Sequence, residues 1–203
     1  MDSIRIYCEN TASYMQVAMG TTLKELSERT EEHDALAALV DNKLKPLDYK
    51  IINPHNIRFV DYDHPDGRRT YIRSLCFVLQ NVVREMFPDK ILAIDYSLPS
   101  GLYCELRALD TMEDGRPIVY FLTDEQIEEI ASRMRALIDA DLPFGRQMMT
   151  LQECERLFAQ NNQSEKVSLF RSLGSMHNNV YFLDGQADTF YGPLVPSTGL
   201  LKT

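Results

Sequence analysis

The sequence is short of positive charge. Its 203 residues carry 21 lysines and arginines against 30 aspartates and glutamates, a net charge of -9 with a pI near 4.9. That balance argues against a cationic nucleic-acid-binding surface spread over the whole molecule and leaves room only for a local basic groove. Residues 1–63 hold 7 basic and 11 acidic side chains and the remainder 14 and 19, so neither part is a basic module. Long apolar runs are also missing: none approaches the ~18 residues a membrane helix needs. The N-terminus, Met1-Asp2-Ser3-Ile4-Arg5, lacks the basic-then-apolar layout of a signal peptide. The expectation is a cytoplasmic chain with no membrane partner.

Local patterns for metal or phosphate chemistry are absent too. Cys8, Cys76, Cys104 and Cys154 include no C-x-x-C pair, so neither a zinc knuckle nor a disulfide framework is suggested, and reduced, mostly buried thiols are expected. His33, His55, His64 and His177 include no H-x-x-x-H or H-E-x-x-H spacing that would set two imidazoles on one helical face. No glycine precedes a lysine, which excludes a G-x-x-x-x-G-K-[ST] phosphate loop.

What is present is the composition of a folded chain, 44% hydrophobic and 25% charged, at a length that suits one or two domains. Ile4, Ile6 and Cys8 alternate, a turn-rich Glu9–Ser13 follows, and Tyr14 and Val17 complete a hairpin. Thr22 with Glu25 is a helix-opening capping box before Leu23 and Leu26. Ala37-Ala38-Leu39-Val40, the turn Asp41-Asn42-Lys43, and closing runs at Ile51-Ile52 and Ile57–Val60 then finish a small mixed sheet. Strand, strand, helix, strands is the order of a β-grasp fold, ubiquitin-like in outline.

Asp61–Arg69, polar and containing Pro65 and Gly67, is expected to be the boundary, giving domains at 1–63 and 70–203. Beyond it Leu75, Cys76, Leu79, Val82, Val83 and Met86 predict a helix that stops at Pro88. Strands are predicted at Ile91–Ile94, Gly101–Leu106 and Ile118–Phe121, the first two joined by a Pro99-Ser100-Gly101 turn. Thr123 opens a helix bearing Ile127, Ile130, Ala131, Met134, Leu137 and Ile138; Thr150 with Glu153 opens another through Cys154, Leu157 and Phe158; Val180–Leu183 reads as a strand. The fold class is α+β.

Several strings resemble the N-terminal half of threonyl-tRNA synthetase, a TGS-type β-grasp domain followed by an editing domain. They are Val40-Asp41-Asn42-Lys43-Leu44, Met86-Phe87-Pro88, Leu92-Ala93-Ile94, Ser100-Gly101-Leu102-Tyr103, Ser164–Leu169 and Asp188–Pro196. The family edits with H-x-x-x-H from the first helix of that domain and C-x-x-x-H from the late string. The resemblance sets Arg73, Phe77, Phe190 and Leu194 at those four positions. A guanidinium offers only donors, and phenylalanine and leucine offer neither lone pair nor proton, so these residues neither bind zinc nor act as a general base. Hydrolysis by the family's route is therefore not expected.

Lys166 and Asp188 do match polar residues of the family's pocket. With Arg73 they either form a charged cluster for an anionic or planar ligand, or pair with each other or face solvent while Phe77, Phe190 and Leu194 fill the old cavity. Ile6–Thr11 and Arg69–Leu79 are similar to the front end of bacterial uridine kinase-like nucleoside kinases. That resemblance implies a non-catalytic accessory region, with no cofactor of its own, preceding a P-loop kinase domain that would bring ATP and Mg. The ending Leu200-Leu201-Lys202-Thr203 reads as the start of a strand or connector, so a fragment of a longer protein is expected. A tRNA- or nucleotide-binding module and a metal-independent aminoacyl-tRNA deacylase using Lys166 and Asp188 are the alternatives. Arg68, Arg69, Arg73 and Tyr71 are either a small nucleic-acid contact or a solvated helix start. Glu128-Glu129 and Glu31-Glu32 with Asp34 read as exposed charge runs.

Overall fold

The computed structural model describes residues 3–98, 101–112, 115–160, 163–173 and 176–202. Strand β1 (Ser3–Cys8) pairs antiparallel with β2 (Ser13–Ala18), and Ile6, Cys8 and Val17 point into the core. Helix α1 (Leu23–Arg29) opens on the expected capping box: Thr22 Oγ1 accepts from the Glu25 amide at 3.2 Å, and Glu25 Oε2 accepts from the Thr22 amide at 2.7 Å. Strands β3 (Ala37–Val40) and β4 (Lys43–Lys45) turn through Asp41 and Asn42, both at positive φ, as two-residue hairpins require. Strand β5 (Asn56–Val60) lies parallel to β1 and antiparallel to β3, giving the order β2-β1-β5-β3-β4. The expected run at Ile51-Ile52 is not a strand of this sheet. Ile51 is instead a fully buried core residue, and neighbouring Lys50 forms a single bridge to Thr22.

Helix α2 (Pro65–Met86) begins inside the stretch expected to be a connector. The cause is local. Pro65 occupies the first helical position, where its missing N–H costs nothing, and His64 Nδ1 accepts from the Asp66 amide at 3.1 Å. Gly67 also lies so close to the Asp61 carbonyl that a Cβ would sit 1.7 Å from its oxygen, an approach only glycine permits.

Strands β6 (Lys90–Leu98), β7 (Gly101–Thr111) and β8 (Pro117–Tyr120) form an antiparallel sheet in sequence order. The turn expected between β6 and β7 has Pro99 and Ser100 outside the described residues. Helix α3 (Asp124–Asp139) follows its Thr123 cap. Strand β9 (Gly145–Thr150), helix α4 (Leu151–Gln160), helix α5 (Ser164–Leu173), strand β10 (His177–Leu183), strand β11 (Gln186–Thr189) and a 3-10 turn at Thr198–Leu200 complete the chain. The third sheet has the order β11-β10-β9, and the whole is α+β.

Helix α2 is the spine of this second part. One face places Phe77 and Val78 against Tyr181, Leu183, Leu194 and Leu201; the other places Val82 and Val83 against Leu106 and Ile130. Its buried Ser74 and Asn81 are matched, whereas Gln80 Oε1 is buried without a partner among the described residues. Ser74 Oγ donates to the Thr70 carbonyl at 2.8 Å and accepts from the Val195 amide at 2.9 Å, while Asn81 Nδ2 donates to the Leu183 carbonyl at 2.7 Å. Arg146 on β9 reaches back to Asp48, its Nη2 2.9 Å from both carboxylate oxygens. Among the described residues no helix is long and apolar enough to cross a membrane.

Candidate functional site

The residues singled out by sequence lie on α2, on α5 and on the segment from β11 to Leu194. Phe77 is wholly buried. Its ring centroid is 5.3 Å from that of Phe190 and 5.9 Å from that of Phe144, and Phe190 in turn lies 6.1 Å from Tyr181. Leu194 is buried in the same cluster and Phe190 packs against it. Three of the four positions are therefore occupied by one continuous apolar contact.

Arg73 takes a different path. Its Nη1 donates to the Pro193 carbonyl at 2.5 Å, and its guanidinium lies flat over Gly192, where a Cβ would sit 3.0 Å from three of the guanidinium atoms. Partial burial pulls the pKa of this guanidinium below its ordinary value, an effect partly opposed by Tyr181. Gly192 has φ 122°, and its carbonyl accepts from the Tyr181 hydroxyl at 3.0 Å. Gly192→Ala combines a disfavoured backbone angle with a collision against Arg73. The expected loss is about 1–3 kcal/mol, read from urea unfolding.

Lys166 and Asp188 meet, but Arg73 does not join them. Asp188 is 1% exposed and receives Lys166 at Oδ1 and Arg84 Nη2 at Oδ2, the latter at 2.6 Å. The Thr189 amide also donates to Oδ1 at 2.6 Å. Arg84 Nη1 donates to the Ala187 carbonyl at 3.1 Å, and Gln163 stands beside it, where swapping the oxygen and nitrogen of its amide lets the oxygen accept from both terminal nitrogens of Arg84 at 3.2 Å. Helix α5 supplies Lys166, α2 supplies Arg84 and β11 supplies Asp188, so one carboxylate pins three elements. Arg84 and Gln163 were missed by sequence reasoning. For Arg84 a signal existed: it lies seven residues after Phe77, two helical turns along the same face.

The arginine-rich helix start does not form a joint patch. Arg69 pairs with Asp66 at 2.5 Å, Arg68 lies 5.3 Å over the Tyr62 ring, and the Tyr71 hydroxyl donates to the Lys202 carbonyl at 2.5 Å. Among the described residues no group of three or more His, Cys, Asp or Glu converges as metal ligands would.

The thiols are less uniformly buried than expected. Cys8 and Cys154 are buried, Cys76 is half-buried and Cys104 is exposed, because Cys104 lies on the thin β6-β7-β8 sheet. Burial pushes the Cys76 thiol up to about 11. At pH 8 that leaves roughly one part in a thousand as reactive thiolate. Burial and Asp95 raise the Cys104 thiol too, but it is the exposed one, so an aromatic disulfide reagent is expected to titrate Cys104 first and the other three thiols only on unfolding.

With this geometry established, similarity to known proteins narrows the class. No family model matches the chain. The chain is 28% identical over 195 residues to the threonine–tRNA ligase of Desulforamulus reducens, covering 94% of the chain and 29% of that protein. It is 27% identical over 202 residues to the threonine–tRNA ligase of Carboxydothermus hydrogenoformans, covering 99% of the chain and 29% of that protein. For that of Symbiobacterium thermophilum the figures are 27% over 169 residues, 83% and 24%. The chain is thus similar to a region of threonine–tRNA ligases, and it spans less than a third of the length of these relatives.

Proposed function

We propose that this chain is a synthetase-like module that binds tRNA or a nucleotide and hydrolyses no ester. Residues 1–63 are its TGS-type β-grasp unit and residues 70–203 its editing-like unit. The order β2-β1-β5-β3-β4, with α1 crossing after the first hairpin, supports the first assignment. The similarity along nearly the whole chain supports the second.

One observation carries the loss of hydrolysis. At the four positions where the resemblance places the editing ligands stand an arginine bonded to the Pro193 carbonyl and three apolar side chains packed on one another. Water activation needs a lone pair or a metal held near the ester, and these groups supply neither. Lys166 and Asp188 do not substitute for them, because the ammonium and carboxylate neutralise each other and the carboxylate is closed off by Arg84.

The test is single-turnover deacylation of threonine tRNA carrying serine, beside a filter-binding titration of the same tRNA. The expected result is ester loss at the uncatalysed rate together with saturable binding that weakens as salt rises. Arg73→Ala is expected to weaken that binding by less than tenfold, one charged contact being lost. Catalysed deacylation that disappears in Lys166→Ala would overturn the proposal, as would the absence of any binding to tRNA or nucleotides.

A second reading places the chain in front of a uridine kinase-like P-loop domain, as an accessory region of an ATP- and Mg-dependent nucleoside kinase. Only Ile6–Thr11 and Arg69–Leu79 favour it. A phosphate-loop motif in the codons following residue 203 is the check.

A further inference from the structure

Half of the exposed large apolar side chains among the described residues fall between Leu98 and Ile127, on the β6-β7-β8 sheet and the start of α3. Three of them, Tyr120, Phe121 and Ile127, line a groove of about 350 Å³ between that sheet and helices α2 and α3. Val83, Leu106 and Ile130 form its buried side; Tyr120, Phe121 and Ile127 form its open lip. Phe121 is 85% exposed and Ile127 51%. A side chain as costly to hydrate as phenylalanine, held in water beside an apolar groove, marks a contact surface.

The charges around the groove select the occupant. Asp124, Glu125 and Glu128 stand exposed on the first turns of α3, close in sequence to Phe121 and Ile127 but outside the groove lining, whose own carboxylate, Glu105, is paired with Arg107. Asp124 and Glu128 have no ion-pair partner among the described residues. Three nearby cations are already neutralised: Lys90 pairs with Asp89 and lies 5.4 Å over the Tyr120 ring, Arg107 pairs with Glu105 and Asp95, and Arg133 pairs with Glu129 and Glu85. The lip is therefore apolar within and negative outside. An anionic membrane or a nucleic acid is repelled by it, and a second copy of a chain of net charge -9 is disfavoured.

We propose that this groove docks a basic amphipathic helix of a partner protein. Two or three apolar side chains of that helix, spaced i, i+3 and i+4, occupy the groove beside Phe121, while its lysines or arginines lie over Asp124 and Glu128. The volume fits such a set of anchors. It does not accommodate a whole helix, which must lie along the lip.

A fluorescently labelled helical peptide of leucine and lysine tests the idea against the whole 203-residue chain, beside a peptide in which every lysine is replaced by glutamate. Saturable binding of the basic peptide is expected, with the acidic peptide at least ~10-fold weaker. Phe121→Asp is expected to weaken the basic peptide by about tenfold or more, since exposed aromatic anchors carry most of such an interface. The substituted residue is largely solvated, so an unchanged melting temperature will show that the fold is kept. Asp124→Asn with Glu128→Gln is expected to reduce both affinity and its salt dependence, and Tyr14→Asp, on the first sheet, to change neither. Equal binding of both peptides, no saturable binding, or indifference to Phe121→Asp overturns the proposal. A dimer that Phe121→Asp dissolves also overturns it, because the groove would then belong to a second copy.

Discussion

Replacing Asp188 by alanine is expected to lower the stability of the folded chain by about 3–5 kcal/mol, the usual cost of removing one partner from a buried ion pair. The carboxylate is almost wholly enclosed and is held by Arg84, Lys166 and the Thr189 amide. Without it two cationic heads, at 22% and 16% side-chain exposure, remain side by side with little water to screen them. A chain of this length loses roughly 2–4 °C of melting temperature per kcal/mol, so a fall of about 10 °C should be seen by calorimetry. Asp188→Asn keeps an acceptor oxygen but not the charge and should recover little. Adding Lys166→Met to that variant removes the repulsion, and a coupling of at least ~1 kcal/mol is expected from the double-mutant cycle. A melting temperature for Asp188→Ala close to that of the unsubstituted chain would show that this carboxylate does not fasten α5 to the β11 strand.

Phe77→Ala should be comparably damaging, at about 3–5 kcal/mol, because the lost ring leaves a cavity among side chains that can only partly collapse. Phe77 sits at the centre of the ring contacts with Phe144 and Phe190 and lies against Leu194 in the same cluster. Phe77→Leu keeps most of the volume and should cost less than ~1.5 kcal/mol. The pair of substitutions separates two accounts of this position. If Phe77 is packing, alanine is far worse than leucine. If it lined an open ligand cleft, the two would differ little in stability and both would change binding instead.

Under the proposed reading, the positions that the synthetase resemblance gives to groups that bind metal or polarise water are filled here by core at Phe77, Phe190 and Leu194, while Lys166 and Asp188 form a fastening. Both arrangements serve stability, and the Asp188 carboxylate is taken up by Lys166 and Arg84. The proposed loss of hydrolysis follows from that chemistry.

Much of the architecture was legible in the sequence because it was written in local interactions. The capping boxes at Thr22 and Thr150, the Thr123 cap, the Asp41-Asn42 turn and the 3.6-residue periodicity of α2 and α3 depend on neighbours within a few positions. Other elements had no such signal. Strand β9, Gly-Arg-Gln-Met-Met-Thr, is mostly exposed and shows no alternation, so only its pairing with β10 makes it a strand. The start of α2 looked like a linker because polar residues, a proline and a glycine suit a helix start as well as a loop.

For the site, residue chemistry alone determined that Arg73, Phe77, Phe190 and Leu194 neither hold a metal nor take a proton, since that follows from the functional groups themselves. Which groups those residues touch was decided by tertiary structure. Only the packing of α2 against α5 and β11 brings Arg84, 104 positions from Asp188, onto the same carboxylate as Lys166, and turns Arg73 away toward Gly192 and Pro193. Side-chain chemistry is carried by each residue in isolation, whereas a long-range ion pair exists only where the folded chain brings its members within reach.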